Sequence, residues 1–270
     1  MSAPDPGRGV SGMPSRRGWP ARAIGIASPL LVLVAWEVAS AAGLLRPQFF
    51  PRPTVILGHA LDLALDGSLG RHAGITMARV AAAFTLALVP GVAVGLAMGI
   101  SRRVRDGLDP LFAVTYPIPS ILFLPLFSFV LGPAEAALVA TSAMTSFFLV
   151  AYTTMTGVQQ MDRTVLEAAT HFGARGRTLF AKVLLPGAMP FIFTGMRLGL
   201  GYALIVVIAV EMASAQQGLG ALLWLSWGLL KVEDMYAALG AIALLGGGLL
   251  WTLGRCRRRL VPWLPDVAGG

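Results

Sequence analysis

Most basic side chains of this sequence lie in alternate gaps between long apolar stretches. Because Lys and Arg accumulate in the cytoplasmic loops of membrane proteins, this alternation predicts a chain that crosses a membrane repeatedly. The net charge of +8 is therefore a signal of topology, and no nucleic-acid partner is expected. Fifteen of the 21 basic residues form the four clusters: Arg8, Arg16, Arg17 and Arg22; Arg102, Arg103 and Arg105; Arg163, Arg175, Arg177 and Lys182; and Arg255, Arg257, Arg258 and Arg259.

The composition supports the same fold class. Hydrophobic residues make up 56% of the 270 residues and charged residues only 13%, against roughly 25% charged in soluble domains. At ~1.5 Å per helical residue, several stretches are long enough to cross a ~30 Å hydrocarbon core. We therefore predict an all-α polytopic membrane protein with six transmembrane helices and cytoplasmic N- and C-termini. The predicted spans are residues 24–43, 75–100, 111–131, 134–158, 191–214 and 236–254.

Three further segments lie outside these spans. Residues 1–22 and 264–270 are predicted to be disordered tails, the first of them cytoplasmic, which leaves 23–263 as the membrane domain. Residues 216–233 are apolar but rich in Gly and Trp. We expect that segment to be re-entrant or to lie on the membrane surface, because a seventh crossing would put the last Arg cluster outside.

The first apolar stretch has a second interpretation. A basic region, an apolar core and Ala39-Ser40-Ala41 together match the pattern of a cleaved signal peptide. The single cysteine, Cys256, excludes an intrachain disulfide and a CxxC redox pair.

A polar, partly basic segment separates the predicted fourth and fifth spans. Residues 167–186 read EAATHFGARGRTLFAKVLLP, with Glu-Ala-Ala, a glycine at position 173 and Val-Leu-Leu-Pro at fixed distances from one another. This spacing resembles the cytoplasmic EAA loop of ABC-importer permeases. Val183 stands where isoleucine is usual, which is a mild departure.

The resemblance extends from about residue 30 to residue 263. The stretches FFPRPTVIL (49–57), LDPLFAVTYPIPSILFLPLF (108–127), GMRLGLG with AVEM (195–212) and QGLGALL (217–223) are similar to the sulfonate/taurine/nitrate branch of these permeases. The similarity implies a type I ABC-importer permease fold and a bacterial inner-membrane location. Because 49–57 matches a loop that follows an uncleaved helix in the family, we expect the first span to be retained.

The resemblance also implies a function and partners. The chain would form the path of a small solute, such as a sulfonate, taurine, nitrate or a similar anion. Its partners would be a dimer of ABC ATP-binding subunits, an extracytoplasmic solute-binding protein, a second permease copy (most simply a homodimer) and the lipid membrane. The chain would be non-catalytic and bind no cofactor, since ATP and Mg²⁺ belong to the ATPase subunit.

The EAA loop, at about residues 159–189, is the predicted coupling site. The residues expected to support docking are Glu167, Ala168, Ala169, Gly173, Arg177, Val183 and Pro186. In our interpretation Gly173 ends one short helix in a left-handed conformation, and a second short helix follows. The resemblance implies that this rigid knob docks in a groove of the ATPase subunit.

Two charged residues of the fifth span are candidates for the pathway or for an interface. Arg197 lies beside Gly195 and Gly199; it can snorkel to the cytoplasm, form a structural pair or line the path. Glu211 lies toward the external end of the span and can pair, line the outer gate or simply be solvated. The hydroxyl side chains of residues 141–156 can line a pore or bond back to their own helix.

Two other classes of membrane protein remain as alternatives. A secondary transporter, or another polytopic protein without ATPase coupling, would be expected to carry an acidic residue deep in a span, and Glu37, Glu135 and Glu211 all fall near predicted span ends. A membrane enzyme would need a catalytic constellation. The sequence has no GxxxxGK[ST] and no HExxH pattern, so neither a P-loop nor this type of zinc site is encoded.

Overall fold

The computed structural model describes residues 21–132 and 135–261, and these residues contain helices and no strand. The predicted tails lie outside the described residues, except that residues 21 and 22 begin the first helix. The all-α fold class is confirmed. The helices are α1 (Ala21–Ala41), α2 (Pro53–Leu65), α3 (Ser68–Ile100), α4 (Arg102–Thr115), α5 (Leu124–Leu131), α6 (Glu135–Gln159), α7 (Arg163–His171), α8 (Gly176–Leu179), α9 (Leu185–Ser214), α10 (Leu219–Gly228) and α11 (Val232–Leu260).

Four helical segments of the described residues are long and apolar enough to span a membrane. They are Ser68–Ile100, Glu135–Gln159, Gly176–Ser214 and Val232–Leu260. The pair Arg102–Thr115 and Ser120–Leu131 makes a fifth if it is counted as one broken span. The first predicted span corresponds to α1, whose stretch Ala27–Ala41 belongs to the shorter apolar helices. The count of six spans is thus still a prediction, whereas the polytopic architecture is clear.

The third predicted span is bent rather than straight. Its two halves meet at an angle of 92°, and the chain between them runs through Pro117 and Pro119 into a 3₁₀ turn at Ser120–Phe123. A residue that precedes proline avoids the helical region of φ/ψ space. Two prolines in close succession therefore stop α4 and redirect the chain into α5.

The fifth span begins earlier than the prolines of the sequence suggest. Helical structure runs without a break from Gly176 to Ser214, although Pro186 and Pro190 lie within it. A π turn, Phe180–Leu184, precedes α9, and the N–H of Leu185 bonds to Phe180 O at its end. Such turns interrupt the regular hydrogen-bond ladder, so Pro186, which has no N–H to donate, follows without breaking the helix.

The helices α3, α6 and α9 pack around small residues. Val80, Val150 and Val207 are fully buried. A Cβ atom built on Gly91 of α3 would lie 3.0 Å from the Val150 side chain, so a larger residue would require Val150 to shift. Small residues let helix backbones approach closely where lipid offers no hydrophobic driving force.

The chain divides into two compact units at Thr54, of which the first contains α1 and the following loop. In this unit Ser40 Oγ donates to Phe50 O at 2.9 Å. Glu37 accepts hydrogen bonds from the Thr54 N–H at 3.0 Å and from its Oγ1 at 2.9 Å. Because α2 begins at Pro53, Thr54 lies inside its first turn, and the carboxylate of Glu37 satisfies a helix-terminal N–H.

Candidate functional site

The EAA loop consists of two short helices joined by a turn. Asp162 precedes α7 and accepts a hydrogen bond from the Thr164 N–H at 2.8 Å, and this bond holds the pKa of Asp162 below its usual value. Gly173 follows α7 with φ +84°. The N–H of Ala174 donates back to Ala169 O at 3.0 Å. This is the glycine-terminated helix end that the sequence analysis predicted.

The loop exposes its polar and small residues and buries part of its apolar ones. Phe180 and Leu184 pack against the buried cluster of Leu96, Val158, Ala188 and Ile192, which attaches the loop to the ends of α3, α6 and α9. Phe172 is 93% exposed. Of the predicted coupling residues, the exposed ones are Glu167, Ala168, Gly173 and Arg177, and the half-buried ones are Ala169, Val183 and Pro186.

A second site lies at the opposite end of the long helices, away from the basic clusters. Arg79 of α3 binds two carboxylates from two other helices. Its Nε and Nη2 atoms donate to the two oxygens of Glu135 at 2.7 and 2.5 Å. Its Nη1 atom donates to Glu211 Oε1 at 2.8 Å and to Gln217 O at 2.5 Å. The first contact is a bidentate guanidinium–carboxylate pair, the stronger kind of charged hydrogen bond.

Glu211 is fully buried and joins this pair to the start of α10. It accepts hydrogen bonds from Thr76 Oγ1 at 3.0 Å and from the Gly220 N–H at 2.9 Å. The N–H of Leu219 donates to Thr76 Oγ1 at 2.8 Å, and the N–H of Gly218 donates to His72 Nδ1 at 3.0 Å. The first N–H groups of α10 are thus satisfied by side chains of α3 and α9, as a helix N-terminus requires.

This network explains the glycines of the QGLG stretch. A Cβ atom on Gly218, whose φ is +117°, would collide with the Glu211 carboxylate. A Cβ atom on Gly220 would collide with the backbone oxygen of Ile208. Glycine is therefore required at both positions, because α10 begins directly against α9.

The interpretation of Glu211 as a solvated carboxylate at a helix end was wrong. A buried carboxylate needs partners, and the two side chains that donate to Glu211 lie 132 and 135 residues earlier in the chain. Sequence reasoning also missed the ion pair of Arg79 with Glu135. The only sequence signal was indirect: a cation and two carboxylates at the same ends of three predicted spans.

Arg197 lies on the exposed side of α9 near the basic end of the molecule. It has no carboxylate within ion-pair distance in the described part of the chain. It lines a cavity of about 340 Å³ together with Trp251, Arg257 and Arg258. Because two of these belong to the last basic cluster, the guanidinium of Arg197 lies close to the predicted cytoplasmic boundary.

Gly195 and Gly199 face α6 on the other side of α9. Both are buried, and a Cβ on Gly199 would lie 2.9 Å from Val150 Cγ2. Most hydroxyl groups of α6 bond to backbone oxygens, as Thr141, Ser142 and Thr153 do with their own helix and Ser146 does with Gly199.

Two adjoining cavities open beside α4, α6 and α9. One, of about 640 Å³, is lined by Asp109 and aromatic rings of α4 and α6, and the other, of about 410 Å³, by residues of α6, α9 and the proline bend. Both are lined by Tyr116. Three of the four tyrosines in the sequence line them: Tyr116, Tyr152 and Tyr202.

Comparison with known proteins identifies relatives of the whole chain. Residues 91–261 match the model of a family described as the binding-protein-dependent transport system inner membrane component. The chain is 30% identical to the taurine transport system permease protein TauC of Escherichia coli, over 90% of each chain. It is 28% identical to the nitrate import permease protein NrtB of Synechocystis, over 80% of this chain and 81% of that one. It is 27% identical to the putative aliphatic sulfonates transport permease protein SsuC of Bacillus subtilis, over 94% and 91%.

Proposed function

Because this chain belongs to the binding-protein-dependent transport system inner membrane components, as an ABC-importer permease of the sulfonate/taurine/nitrate branch, we propose that it forms the path of a small anion across the inner membrane and is driven by a separate ATPase subunit. The relatives act on taurine, nitrate and aliphatic sulfonates by their names. These solutes share a compact oxyanion, which is the chemistry we propose for the solute of this chain.

We propose that the EAA loop couples the path to the ATPase. Its support is the exposed surface of α7 and the turn at Gly173, combined with the packing of Phe180 and Leu184 against the helix core. A knob that is rigidly attached to three spans transmits a displacement of its tip to all of them. Phe172, almost fully exposed at the tip, is the large apolar side chain that a hydrophobic groove on the partner would receive.

The path itself is proposed along the face that carries the three tyrosines. Tyr202 lies twelve residues before the end of α9, about 18 Å along the helix axis, which is well inside a bilayer. None of the phenol hydroxyls of Tyr116, Tyr152 and Tyr202 has a hydrogen-bond partner in the described ranges 21–132 and 135–261. A polar group left without a partner in hydrocarbon is costly, so this face fits a water-filled path better than lipid.

The rest of the assembly follows from the same proposal. Two copies of this chain would enclose the path between their tyrosine faces, a dimer of ATP-binding subunits would bind ATP and Mg²⁺, and an extracytoplasmic protein would deliver the solute. Asp109, about 10 Å along α4 from its basic start at Arg102, would repel an anion near the cytoplasmic exit and favour its release.

The coupling proposal is tested by Phe172→Ala in cells that carry the ATPase and the binding protein. We expect co-purification of the ATPase and solute uptake to fall together, while the chain still inserts at its normal level. Leu65→Ala is the matched control, because Leu65 is 86% exposed at the opposite end of the molecule. Normal co-purification in Phe172→Ala would contradict docking through this tip, and uptake without any ATPase subunit would favour a secondary transporter.

A further inference from the structure

A polar cavity of about 410 Å³ opens at the predicted external end of the molecule. Arg79 and Glu135 lie in its wall, together with Ser128, Gln216 and Gln217. This cavity is distinct from the two cavities of the tyrosine face, which are lined by other residues. It is also the place where α3, α6 and α9 meet through charged side chains.

The two carboxylates that bind Arg79 differ in their access to water. The side chain of Glu211 is 0% exposed and that of Glu135 is 66% exposed, while Arg79 itself is 7% exposed. Glu211 is held by two further donors: the Thr76 hydroxyl, which lies 3.0 Å from both of its oxygens, and the Gly220 N–H. Glu135 is the first residue of α6, and within the described residues its carboxylate bonds only to Arg79.

This asymmetry makes Glu135 the exchangeable partner. A carboxylate that moves from Arg79 into water regains its hydration, so releasing the exposed Glu135 costs less free energy than releasing a buried carboxylate. If Glu211 lost Arg79 instead, it would remain as an unpaired buried charge, which is strongly unfavourable. When Glu135 moves away, Glu211 still neutralises the charge of Arg79, and the Nε–Nη2 edge of the guanidinium becomes free.

We propose that this edge of Arg79 is an external binding site for the oxyanion group of the solute, and that Glu135 occupies the site when no solute is present. The fork of two parallel N–H groups matches a planar or tetrahedral oxyanion as well as it matches a carboxylate. Ser128, Gln216 and Gln217, which carry polar side chains, line the same wall. The inference rests on the proposed function, in that the solute is taken to be a small oxyanion.

Because Glu211 and Thr76 hold the start of α10, the site is connected to the packing of the outer ends of the spans. Binding of an oxyanion releases the N-terminus of α6 from α3 and keeps α3 fixed to α9 and α10. Occupancy of the site therefore changes which helices are connected by Arg79 at the external end, before the solute enters the path.

The test is a ligand-observed NMR titration of the purified full-length chain in lipid nanodiscs with methanesulfonate. Dimethyl sulfone, which has the same shape and no charge, is the control ligand. Glu135→Gln removes the competing charge, and Glu233→Gln is the matched control, because Glu233 begins α11 at the same end and does not line the cavity. The apparent affinity falls with the fraction of sites that Glu135 occupies, so we expect about fivefold tighter binding in Glu135→Gln.

The outcomes separate this proposal from the proposed function. Equal methanesulfonate affinities in the wild type, Glu135→Gln and Glu233→Gln would overturn the site, as would binding of dimethyl sulfone with the same affinity. Arg79→Lys keeps the charge and loses the fork of N–H groups. Once thermal unfolding shows that this variant is folded, its affinity for methanesulfonate should be lower than that of the wild type. Uptake by the full importer is measured separately, so failure of transport with intact anion binding would contradict the proposed function alone.

Discussion

Arg79 and Glu211, 132 residues apart in the sequence, form a hydrogen-bonded ion pair of 2.8 Å in which neither side chain is more than 7% exposed. The pair joins α3 to α9 and, through Thr76 and Gly220, to the start of α10. A buried pair adds little stability relative to apolar residues of the same volume, but loss of one member leaves an uncompensated charge. The pair therefore fixes which helices are neighbours more than it adds to the free energy of unfolding.

Glu211→Gln is expected to destabilise the chain strongly. It removes the fully buried carboxylate that accepts from Arg79, Thr76 and Gly220, and breaking a buried pair costs about 3–5 kcal/mol. Glu135→Gln, at a carboxylate that is 66% exposed, should cost about 1 kcal/mol or less. Thermal unfolding of the two purified variants in the same detergent measures the difference. Similar midpoints would show that burial of the Arg79–Glu211 pair does not affect the free energy of unfolding.

Gly173→Val is expected to disturb the EAA loop through backbone strain. The φ of +84° costs an L-residue about 1–2 kcal/mol, while nothing lies within 4 Å of a Cβ at this position, so no collision contributes. Gly173→Asn is the matched control, because asparagine tolerates the left-handed conformation. Co-purification of the ATPase and uptake should fall in the valine variant and be largely retained in the asparagine variant.

If the two Gly173 variants behave alike, strain at this turn is not what limits docking. A loss in both with normal insertion would instead point to a requirement for the bare backbone in the contact with the ATPase.

Arg197→Lys is expected to leave uptake and protein level nearly unchanged. No carboxylate within the described residues forms an ion pair with Arg197, so a planar fork is not needed, and a lysine stem reaches the boundary near Arg257 as well. Arg197→Gln removes the charge and tests the pathway hypothesis. Reduced uptake at a normal protein level in Arg197→Gln would support a role in the path, and full uptake would remove Arg197 from the functional residues.

Cys256 provides a test of topology without further engineering. It is the only cysteine of the sequence, it is exposed, and it lies in the last basic cluster. A membrane-impermeant maleimide should label it in inverted membrane vesicles and leave it unlabelled in intact spheroplasts. Labelling in spheroplasts would contradict the orientation predicted from the Arg clusters.

Features that depend on local sequence were predictable. The helical class follows because a backbone in lipid must satisfy its own hydrogen bonds. The end of α7 at Gly173 follows from the conformational freedom of glycine, and the EAA spacing identified the family before any coordinates. In contrast, Pro186 and Pro190 suggested a helix start at residue 191, and the structure continues the helix back to Gly176. The π turn that allows this depends on how Phe180 and Leu184 pack on α9 and its neighbours.

The sequence by itself determined the polytopic helical class and the position of the EAA loop, because hydropathy and motif spacing are properties of contiguous residues. Only the tertiary structure decided that Arg79 binds Glu135 and Glu211, that the glycines near residue 218 face a carboxylate, and that three tyrosines line one face. The hydrogen bonds of Arg79 and His72 in this network join positions 56 to 146 residues apart. They arise because a buried polar group must find a partner in space, and the order of residues along the chain does not specify which partner that is.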